Sequence, residues 1–258
     1  MLLTLDIGNS HIFGGVFSGD ELLLRFRYDS KQVVTSDQLG VFLRAVIREN
    51  GMDHSAIDRI ALCSVVPSLD YSIRSACMKY FDVEPFVLQA GVKTGLNIKY
   101  RNPIEVGADR IANAIAATHS FPQKNLIIID LGTATTFCAI NQERHYLGGV
   151  IIPGIKLCMM ALENNTAKLS AVEIVKTQTA LGKGTAESIQ SGLYFSHCAA
   201  LREISARIRQ ETFANKESLI IGTGGFSHLF EDEKIFDLIV PDLALHGLRA
   251  AYELNHGE

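Results

Sequence analysis

The chain of 258 residues has no tryptophan, only five cysteines and six prolines, and no long apolar run. An odd cysteine count without any C-x-x-C pair is typical of reduced thiols, so neither a disulfide framework nor a zinc site is expected to organise the fold. The N-terminus has no basic segment of the kind that begins a signal peptide, and no stretch approaches the roughly 18 apolar residues of a membrane span. We therefore expect a cytoplasmic protein that makes no membrane contact.

The charges are nearly balanced, with 24 Lys and Arg residues against 28 Asp and Glu residues. The resulting net charge of -4 and pI of about 6.1 argue against nucleic acid as a partner, because phosphate backbones attract strongly basic surfaces. Hydrophobic residues make up 47% of the chain and charged residues 20%, a balance that excludes wholesale disorder. A chain of this length forms one large domain or two small ones.

Several familiar motifs are incomplete or missing. The histidines form no H-E-x-x-H pair, and Gly182-Lys183-Gly184-Thr185 does not satisfy the Walker consensus. The segment Gly222-Thr223-Gly224-Gly225 follows an apolar run but does not complete G-x-G-x-x-G, which counts against a dinucleotide fold. It is either a flexible turn or a place where backbone approaches a base or ribose.

The most informative feature is an internal repeat. One nine-residue segment near the N-terminus returns nearly half the chain later: Leu5-Asp6-Ile7-Gly8-Asn9-Ser10-His11-Ile12-Phe13 is matched by Ile129-Asp130-Leu131-Gly132-Thr133-Ala134-Thr135-Thr136-Phe137. Each copy joins two apolar stretches through a tight polar turn, which predicts a strand, a turn and a returning strand. The repeat predicts two domains, residues 1–118 and 119–258.

One Asp-x-Gly turn is most often an ordinary hairpin turn. Two aligned copies favour a function, because such a turn lets backbone N–H groups approach an anion and holds a carboxylate near a cation. Facing turns of this kind would clamp the phosphates of a nucleotide.

Other segments alternate between helix and strand patterns. Ser36 is the expected N-cap of a helix that ends at Gly51, and a strand is expected from Arg59 to Val66. Further elements are predicted in order along the chain: a buried helix from Gly107 to Thr118, a long helix from Thr185 to Phe213, and a strand from Leu219 to Ile221. This alternation is typical of an α/β protein.

Taken together, these motifs resemble those of the type III pantothenate kinases, which belong to the actin, sugar-kinase and heat-shock ATPase superfamily. The matching segments cover nearly the whole chain: Asp6-x-Gly8-Asn9-Ser10, Cys63-Ser64-Val65-Val66-Pro67, Tyr100-x-x-Pro103, Gly107-Ala108-Asp109-Arg110, Asp130-x-Gly132-Thr133-Ala134-x-Thr136, Gly148-Gly149-x-Ile151-x-Pro153-Gly154 and Thr185 to Gly192.

The resemblance implies two actin-like (ribonuclease H-like) domains of duplicated topology with a nucleotide cleft between them. It implies phosphorylation of pantothenate by ATP with Mg2+, a monovalent cation (K+ or NH4+), and a homodimer. The implied nucleotide-binding residues are Asp6, Ile7, Gly8, Asn9, Ser10, His11, Ile12, Phe13 and Thr133, and the implied cation ligand is Asp130. The implied pantothenate-binding residues are Tyr100, Gly107, Ala108, Asp109, Arg110 and Thr185, with Asp109 as the catalytic proton acceptor.

Three of these residues also have purely structural interpretations. Asp109 stands where a helix dipole favours an ionised carboxylate, so it is alternatively a helix-stabilising acid. Arg110 either binds the pantothenate carboxylate or forms a structural ion pair, and Thr185 is alternatively the N-cap of the long helix. The long helix also offers apolar residues, Ile189, Leu193, Ala200 and Ile204, for a second subunit as well as its own core.

Two departures from the family pattern are visible. Ser10 stands where many members have Thr, which keeps the hydroxyl, and Phe226 follows the glycine pair where a polar or small residue is usual. Two other functions stay open: a kinase or phosphohydrolase of the same fold acting on another small acceptor, and a nucleotide-binding regulator. The segment Tyr100 to Arg110 argues against the first, and retention of Asp109 argues against the second.

Overall fold

The computed structural model describes residues 1–30 and 34–257, and the chain divides into two compact units. Unit 1 contains Met1–Gly95, Asn102–His119 and Leu243–Glu258, whereas unit 2 contains Leu96–Arg101 and Ser120–Asp242. Residues 31–33 and Glu258, which fall within the predicted domains, lie outside the described residues.

Strands and helices alternate along the chain, as the pattern predicts. The strands are β1 Leu2–Ile7, β2 His11–Ser18, β3 Glu21–Asp29, β4 Arg59–Ser64, β5 Phe86–Val87, β6 Asn97–Ile98, β7 Leu126–Leu131, β8 Ala134–Ile140, β9 His145–Pro153, β10 Leu219–Thr223 and β11 Leu238–Ile239. The α-helices are α1 Ser36–Glu49, α2 Pro67–Phe81, α3 Ala108–Ser120, α4 Ile155–Asn165, α5 Thr185–Phe213 and α6 Leu243–His256.

The two sheets repeat one topology. In unit 1 the strand order is β3-β2-β1-β4-β5, and in unit 2 it is β11-β10-β7-β8-β9-β6, which is the same arrangement with β6 added at one edge. In both sheets the first strand pairs antiparallel with the second and parallel with the strand that follows the next helices. The sequence repeat is therefore a structural repeat of an entire sheet.

In unit 1, alternate residues of β1 point to opposite faces of the sheet. Leu3, Leu5 and Ile7 are fully buried in a core that also contains Leu39, Leu43 and Ile47 of α1 and Ile73 of α2. Because side chains alternate along a strand, Thr4 and Asp6 point to the opposite face of the sheet. Helix α6 packs against β1 and β4.

Unit 2 has a core of its own. Ile127, Ile129 and Leu131 of β7 are buried with residues of α4 and α5, among them Ile155 and Leu201. By the same alternation, Asp130 points to the face of the sheet opposite this core. Asp6 and Asp130 thus occupy matching positions in the two sheets.

Some predicted boundaries are displaced by a few residues. The N-cap of α1 is Thr35, not Ser36, because the Thr35 hydroxyl accepts the N–H of Gln38 and the Gln38 side chain accepts the N–H of Thr35. Helix α5 spans the predicted residues, but its N-cap is Gly184, so Thr185 is the first helical residue rather than the cap.

The compact units, unlike the predicted domains, are not continuous in sequence, and helix α6 is one of the segments that make the difference. The sequence assigns all of residues 119–258 to the second domain, whereas α6 lies in unit 1. A Cβ added to Gly247 of α6 would lie 1.8 Å from the carbonyl oxygen of Ala112 in α3. The two helices therefore meet backbone to backbone, and the glycine allows this contact.

All five cysteines are free, and four of them are buried. Within residues 1–30 and 34–257, none of the helices has both the length and the hydropathy required to cross a bilayer.

Candidate active site

The first Asp-x-Gly turn is held by hydrogen bonds at its base. Gly8 N–H donates to the carbonyl of His11 at 3.1 Å, and the Ser30 hydroxyl donates to the carbonyl of Gly8 at 2.6 Å. The backbone N–H of Ser30 also donates to the carbonyl of Ser10 at 3.2 Å. Asn9 and His11 remain exposed, so a rigid base presents a polar turn to solvent.

The residues predicted to bind nucleotide differ in what their side chains can do. Ile7 and Ile12 are 0% and 1% exposed and belong to the core of unit 1. Phe13 is partly buried, with the Arg27 guanidinium 4.3 Å from its ring centroid. Within this stretch, contacts from the two isoleucines to a nucleotide would have to come from their backbone groups.

Asp6 lies beside a thiol on the neighbouring strand. Cys63 of β4 pairs with Asp6 in the parallel register, and its Sγ donates to Asp6 Oδ1 at 3.3 Å. Burial, followed by the negative charges of Asp6 and Asp109, raises the pKa of the Cys63 thiol well above its usual range. Because both carboxylates act on one thiol, the structure brings Asp6 and Asp109 into the same part of unit 1.

Asp109 occupies the first turn of α3 and is fixed by its neighbours. The N–H of Arg110 donates to Asp109 Oδ1 at 2.7 Å, and a Cβ added to Gly107 would lie only 2.5 Å from that oxygen. Burial raises the pKa of the Asp109 carboxyl, and the hydrogen bond and charge of Arg110 offset this only in part. Desolvation therefore outweighs these hydrogen-bonding and charge effects on the ionisation of Asp109.

Arg110 follows Asp109 and is 6% exposed, in a helix whose residues from Arg110 to Thr118 are all buried. A guanidinium in such a place is stabilised by a carboxylate, whether from the protein or from a ligand. Its charge lowers the pKa of Asp109, which places it within electrostatic reach of that carboxylate.

The second Asp-x-Gly turn is tighter than the first. Asp6 pairs with Phe13 across the first hairpin, whereas Asp130 pairs with Thr136, one position earlier than the sequence repeat suggests. Gly132 N–H donates to the carbonyl of Ala134 at 3.1 Å, which leaves Thr133 alone at the tip. The two turns are thus related by sequence but differ by one residue at the point where a ligand would approach.

Two glycines lie close to the second turn. A Cβ added to Gly154 would lie 2.4 Å from the carbonyl oxygen of Thr133, and one added to Gly224 would lie 2.4 Å from Asp130 Oδ1. Gly224 also has a φ of +86°, a conformation that other residues adopt at a cost. The Asp130 carboxylate and the Leu131 backbone therefore lie directly against Gly224, and we call this close packing the cradle of Asp130.

Phe226 connects this cradle to the core. Its backbone N–H donates to the carbonyl of Leu131 at 3.2 Å, and its side chain packs, partly buried, on the core of unit 2. The residue that departs from the family pattern therefore stabilises the turn after β10, which runs into a 3-10 helix at Ser227–Glu233.

Tyr100 and Thr185, both predicted to bind pantothenate, belong to unit 2, whereas Gly107 to Arg110 belong to unit 1. The Tyr100 ring makes an edge contact with the buried ring of Tyr146, with centroids 6.4 Å apart. Thr185 is exposed at the first position of α5.

The sequence indicated no role for Cys63 or Gly154, and for Gly224 it indicated only a turn or a backbone approach to a base or ribose, although all three fall in segments that match the family pattern or the glycine-rich turn. The available signal was position, because each of them stands at or just beyond the end of a strand. In parallel sheets these ends meet at one edge, where ligands commonly bind.

Comparisons with known proteins agree with this architecture. A sequence model of the family described as type III pantothenate kinase matches residues 2–207. The chain is 60% identical over 255 residues to the type III pantothenate kinase of Legionella pneumophila (strain Paris), covering 99% of each chain. It is 49% identical to type III pantothenate kinase 1 of Francisella tularensis subsp. holarctica (strain OSU18), covering 99% of this chain and all (100%) of that protein.

Among solved structures, the ROK hexokinase of Thermus thermophilus superimposes with a TM-score of 0.52 at 13% identity, covering 97% of both chains. At that identity the likeness concerns the fold alone, and it confirms the predicted actin-like α/β fold. The family model spans most of the chain and the relatives span nearly all of it, so the chain belongs to the type III pantothenate kinase family.

Proposed function

We propose that this protein transfers the γ-phosphate of ATP to the primary hydroxyl of pantothenate, forming 4'-phosphopantothenate in the first step of coenzyme A biosynthesis. Membership of the family supports the reaction. The observation that carries the assignment to particular residues is the Asp6, Cys63 and Asp109 cluster, in which a predicted phosphate-turn carboxylate and the predicted proton acceptor act on one thiol.

We assign Asp109 as the group that orients the substrate hydroxyl and accepts its proton. Phosphoryl transfer passes through a loose transition state in most analyses, so the acceptor carboxylate acts chiefly by orienting the hydroxyl and taking its proton late. The raised pKa of Asp109 suits this task, because a more basic carboxylate accepts a proton more readily. The hydrogen bond from Arg110 N–H to Oδ1 fixes the orientation of the carboxylate.

The backbone of the two Asp-x-Gly turns is assigned to the phosphates of ATP. Asn9, Ser10 and His11 line the tip of the first turn, and Thr133 forms the tip of the second. Magnesium carried by ATP would neutralise charge on the transferred phosphoryl group, and Asp6 supplies the hard oxygen donors that such an ion prefers. For pantothenate we propose Tyr100, Gly107 to Arg110 and Thr185, with Arg110 pairing with its carboxylate.

Asp130 is assigned to a monovalent cation, K+ or NH4+. Its carboxylate lies in the cradle formed with Gly224, where any larger residue would fill the space beside Oδ1. Hard carboxylate oxygen is a suitable donor for an ion of this kind.

Replacing Asp130 with Ala should reduce the activation by K+ by at least about 10-fold, because the cation would lose the negative charge that balances its own. The KM for pantothenate should stay within about twofold. Phosphopantothenate formation measured across a K+ series, with choline chloride holding ionic strength constant, tests this. Asp130→Asn, which keeps one oxygen, should show a smaller loss, and an unchanged K+ response in both variants would remove this role.

We further propose a cytoplasmic homodimer. The apolar residues of α5 that were expected to serve both a core and a partner are largely used by unit 2 itself, since Ile189 and Leu193 are 8% and 5% exposed. The exposed face of the helix instead carries the small residues Gly192, Ser196 and Ala199, which permit close approach of a second chain.

Five free cysteines suit a reducing compartment.

The proposed function is tested by following phosphopantothenate directly, with MgATP, with and without pantothenate, in potassium and in sodium buffer. We expect product only when ATP and pantothenate are both present, and more of it in potassium. ATP consumption without pantothenate would point instead to a phosphohydrolase or another acceptor. Nucleotide binding without turnover in any buffer would favour a regulator.

A further inference from the structure

The strand beside Asp6 carries a buried thiol that takes no part in the phosphoryl transfer proposed for Asp109 and the two turns. We propose that Cys63 is a positioning residue that holds the Asp6 carboxylate in the orientation needed to bind MgATP. The inference rests on the proposed function, in which Asp6 belongs to the first phosphate turn.

The contact is built into the sheet. In a parallel pair, residues in register project from the same face, so Cys63 and Asp6 meet across the β1 and β4 strands. The distance of 3.3 Å from Sγ to Oδ1 suits a thiol donor, and Cys63 is only 1% exposed, so water does not compete well for the bond. The neighbouring backbone is also fixed, because Val65 N–H donates to the carbonyl of Ile7 at 3.0 Å.

The protonation state of the thiol suits a donor. An ordinary cysteine thiol is largely protonated at neutral pH, so Cys63 has a proton to donate. A thiolate would repel Asp6, whereas the protonated thiol donates to it. The same features make Cys63 a poor nucleophile, which separates this role from covalent catalysis.

The structural repeat provides independent support. Thr223 of β10 pairs with Asp130 in the parallel register, which is the position Cys63 occupies relative to Asp6. Thr223 is 3% exposed and, like cysteine, carries a proton donor on Cβ. Both sheets therefore place a small donor side chain in register with the aspartate that leads into the turn.

The test compares Cys63→Ala, Cys63→Val and Cys63→Ser with Cys77→Ala. Cys77 is 0% exposed in the core of the same unit, so it controls for loss of a buried sulfur. We expect the alanine and valine variants to lose about 10-fold in kcat/KM for MgATP, because the carboxylate loses a donor, with the KM for pantothenate within about twofold. Serine, which keeps a donor, should restore most of the loss, and Cys77→Ala should keep wild-type constants.

The valine variant also lacks a donor but retains apolar volume, so it replaces the alanine variant if that protein does not fold. Thermal unfolding measures whether each variant is folded. Wild-type kcat/KM for MgATP in the alanine or valine variant would overturn the proposal, as would a serine variant as impaired as valine. Failure of the proposed function gives a different result, because wild-type protein would then form no phosphopantothenate. If Asp6→Asn left MgATP kinetics unchanged, the role of Asp6 itself, and with it the positioning role of Cys63, would be rejected.

Discussion

Replacing Asp109 with Asn is expected to lower turnover by at least about 100-fold while leaving ATP binding intact, because the amide cannot accept the proton of the attacking hydroxyl. Asn keeps the size of the side chain and an oxygen that can accept the Arg110 N–H. The measurement is phosphopantothenate formation at saturating substrates, together with nucleotide binding by calorimetry. Glu105→Gln is the matched control, since Glu105 is an exposed carboxylate in the turn just before Gly107.

The Asp109→Asn substitution should also affect thermal stability in a way that depends on pH. Since burial raises the pKa of Asp109 in the folded protein, the stability gained from its protonation is fully present below the unfolded pKa and is lost as pH rises through the folded pKa. At neutral pH, desolvation of the ionised Asp109 carboxylate therefore lowers the stability of the folded protein. Asp109→Asn should consequently melt at the same temperature as wild type or higher at pH 7, and the difference should shrink under acid conditions. Full activity of the variant would contradict the catalytic assignment, and a lower melting temperature at pH 7 would contradict the predicted effect of burial on the carboxylate.

Substitution of Gly224 by Ala is the second change with a large expected effect. The added Cβ would lie 2.4 Å from Asp130 Oδ1 and 2.7 Å from backbone atoms of Leu131, on a residue whose φ is +86°. Strain and overpacking of this kind typically cost about 1–3 kcal/mol of unfolding free energy. Displacement of Asp130 and its turn should also lower kcat/KM for ATP by at least about 10-fold.

Gly225 provides a control within the same segment. A Cβ added there meets no atom within 4 Å, so Gly225→Ala should change the unfolding free energy by no more than about 0.5 kcal/mol and leave turnover near wild type. Denaturant unfolding and steady-state kinetics on both variants make the comparison. Similar behaviour of the two alanine variants would show that the cradle around Asp130 is not required.

Much of the fold could be predicted because its signals are local. The repeated Asp-x-Gly hairpins and the length of α5 follow from strand alternation, helical periodicity and turn residues, and the structure has all of them. The one-residue difference between the turns could not be predicted, because it depends on how β8 pairs with β7 and not on the residues of the turn. The assignment of α6 to unit 1 likewise depends on a contact distant in sequence, that of Gly247 with Ala112.

The sequence singles out the residues that we propose for the site, but it does not indicate the energetics of their side chains. Asp6 and Asp109 stand out in the sequence, yet the contact of Asp6 with the Cys63 thiol arises from the parallel pairing of β1 with β4, and the effect of Asp109 on that thiol arises from where the fold places α3. Asp109 illustrates the same limit, since its position in the first turn of α3 indicated a favoured negative charge. Burial reverses that expectation, and burial is a property of the assembled fold.

The position of α6 has a consequence for biosynthesis of the chain on the ribosome. Apart from Leu96–Arg101, unit 2 is one continuous segment, and all of it has been translated before Leu243 is added. Unit 1 contains β1 and β4 but lacks α6, which packs against both strands, until residues 243–256 have been added. Since domains fold as units during synthesis, unit 1 is completed after unit 2, and its sheet lacks the packing of α6 until then.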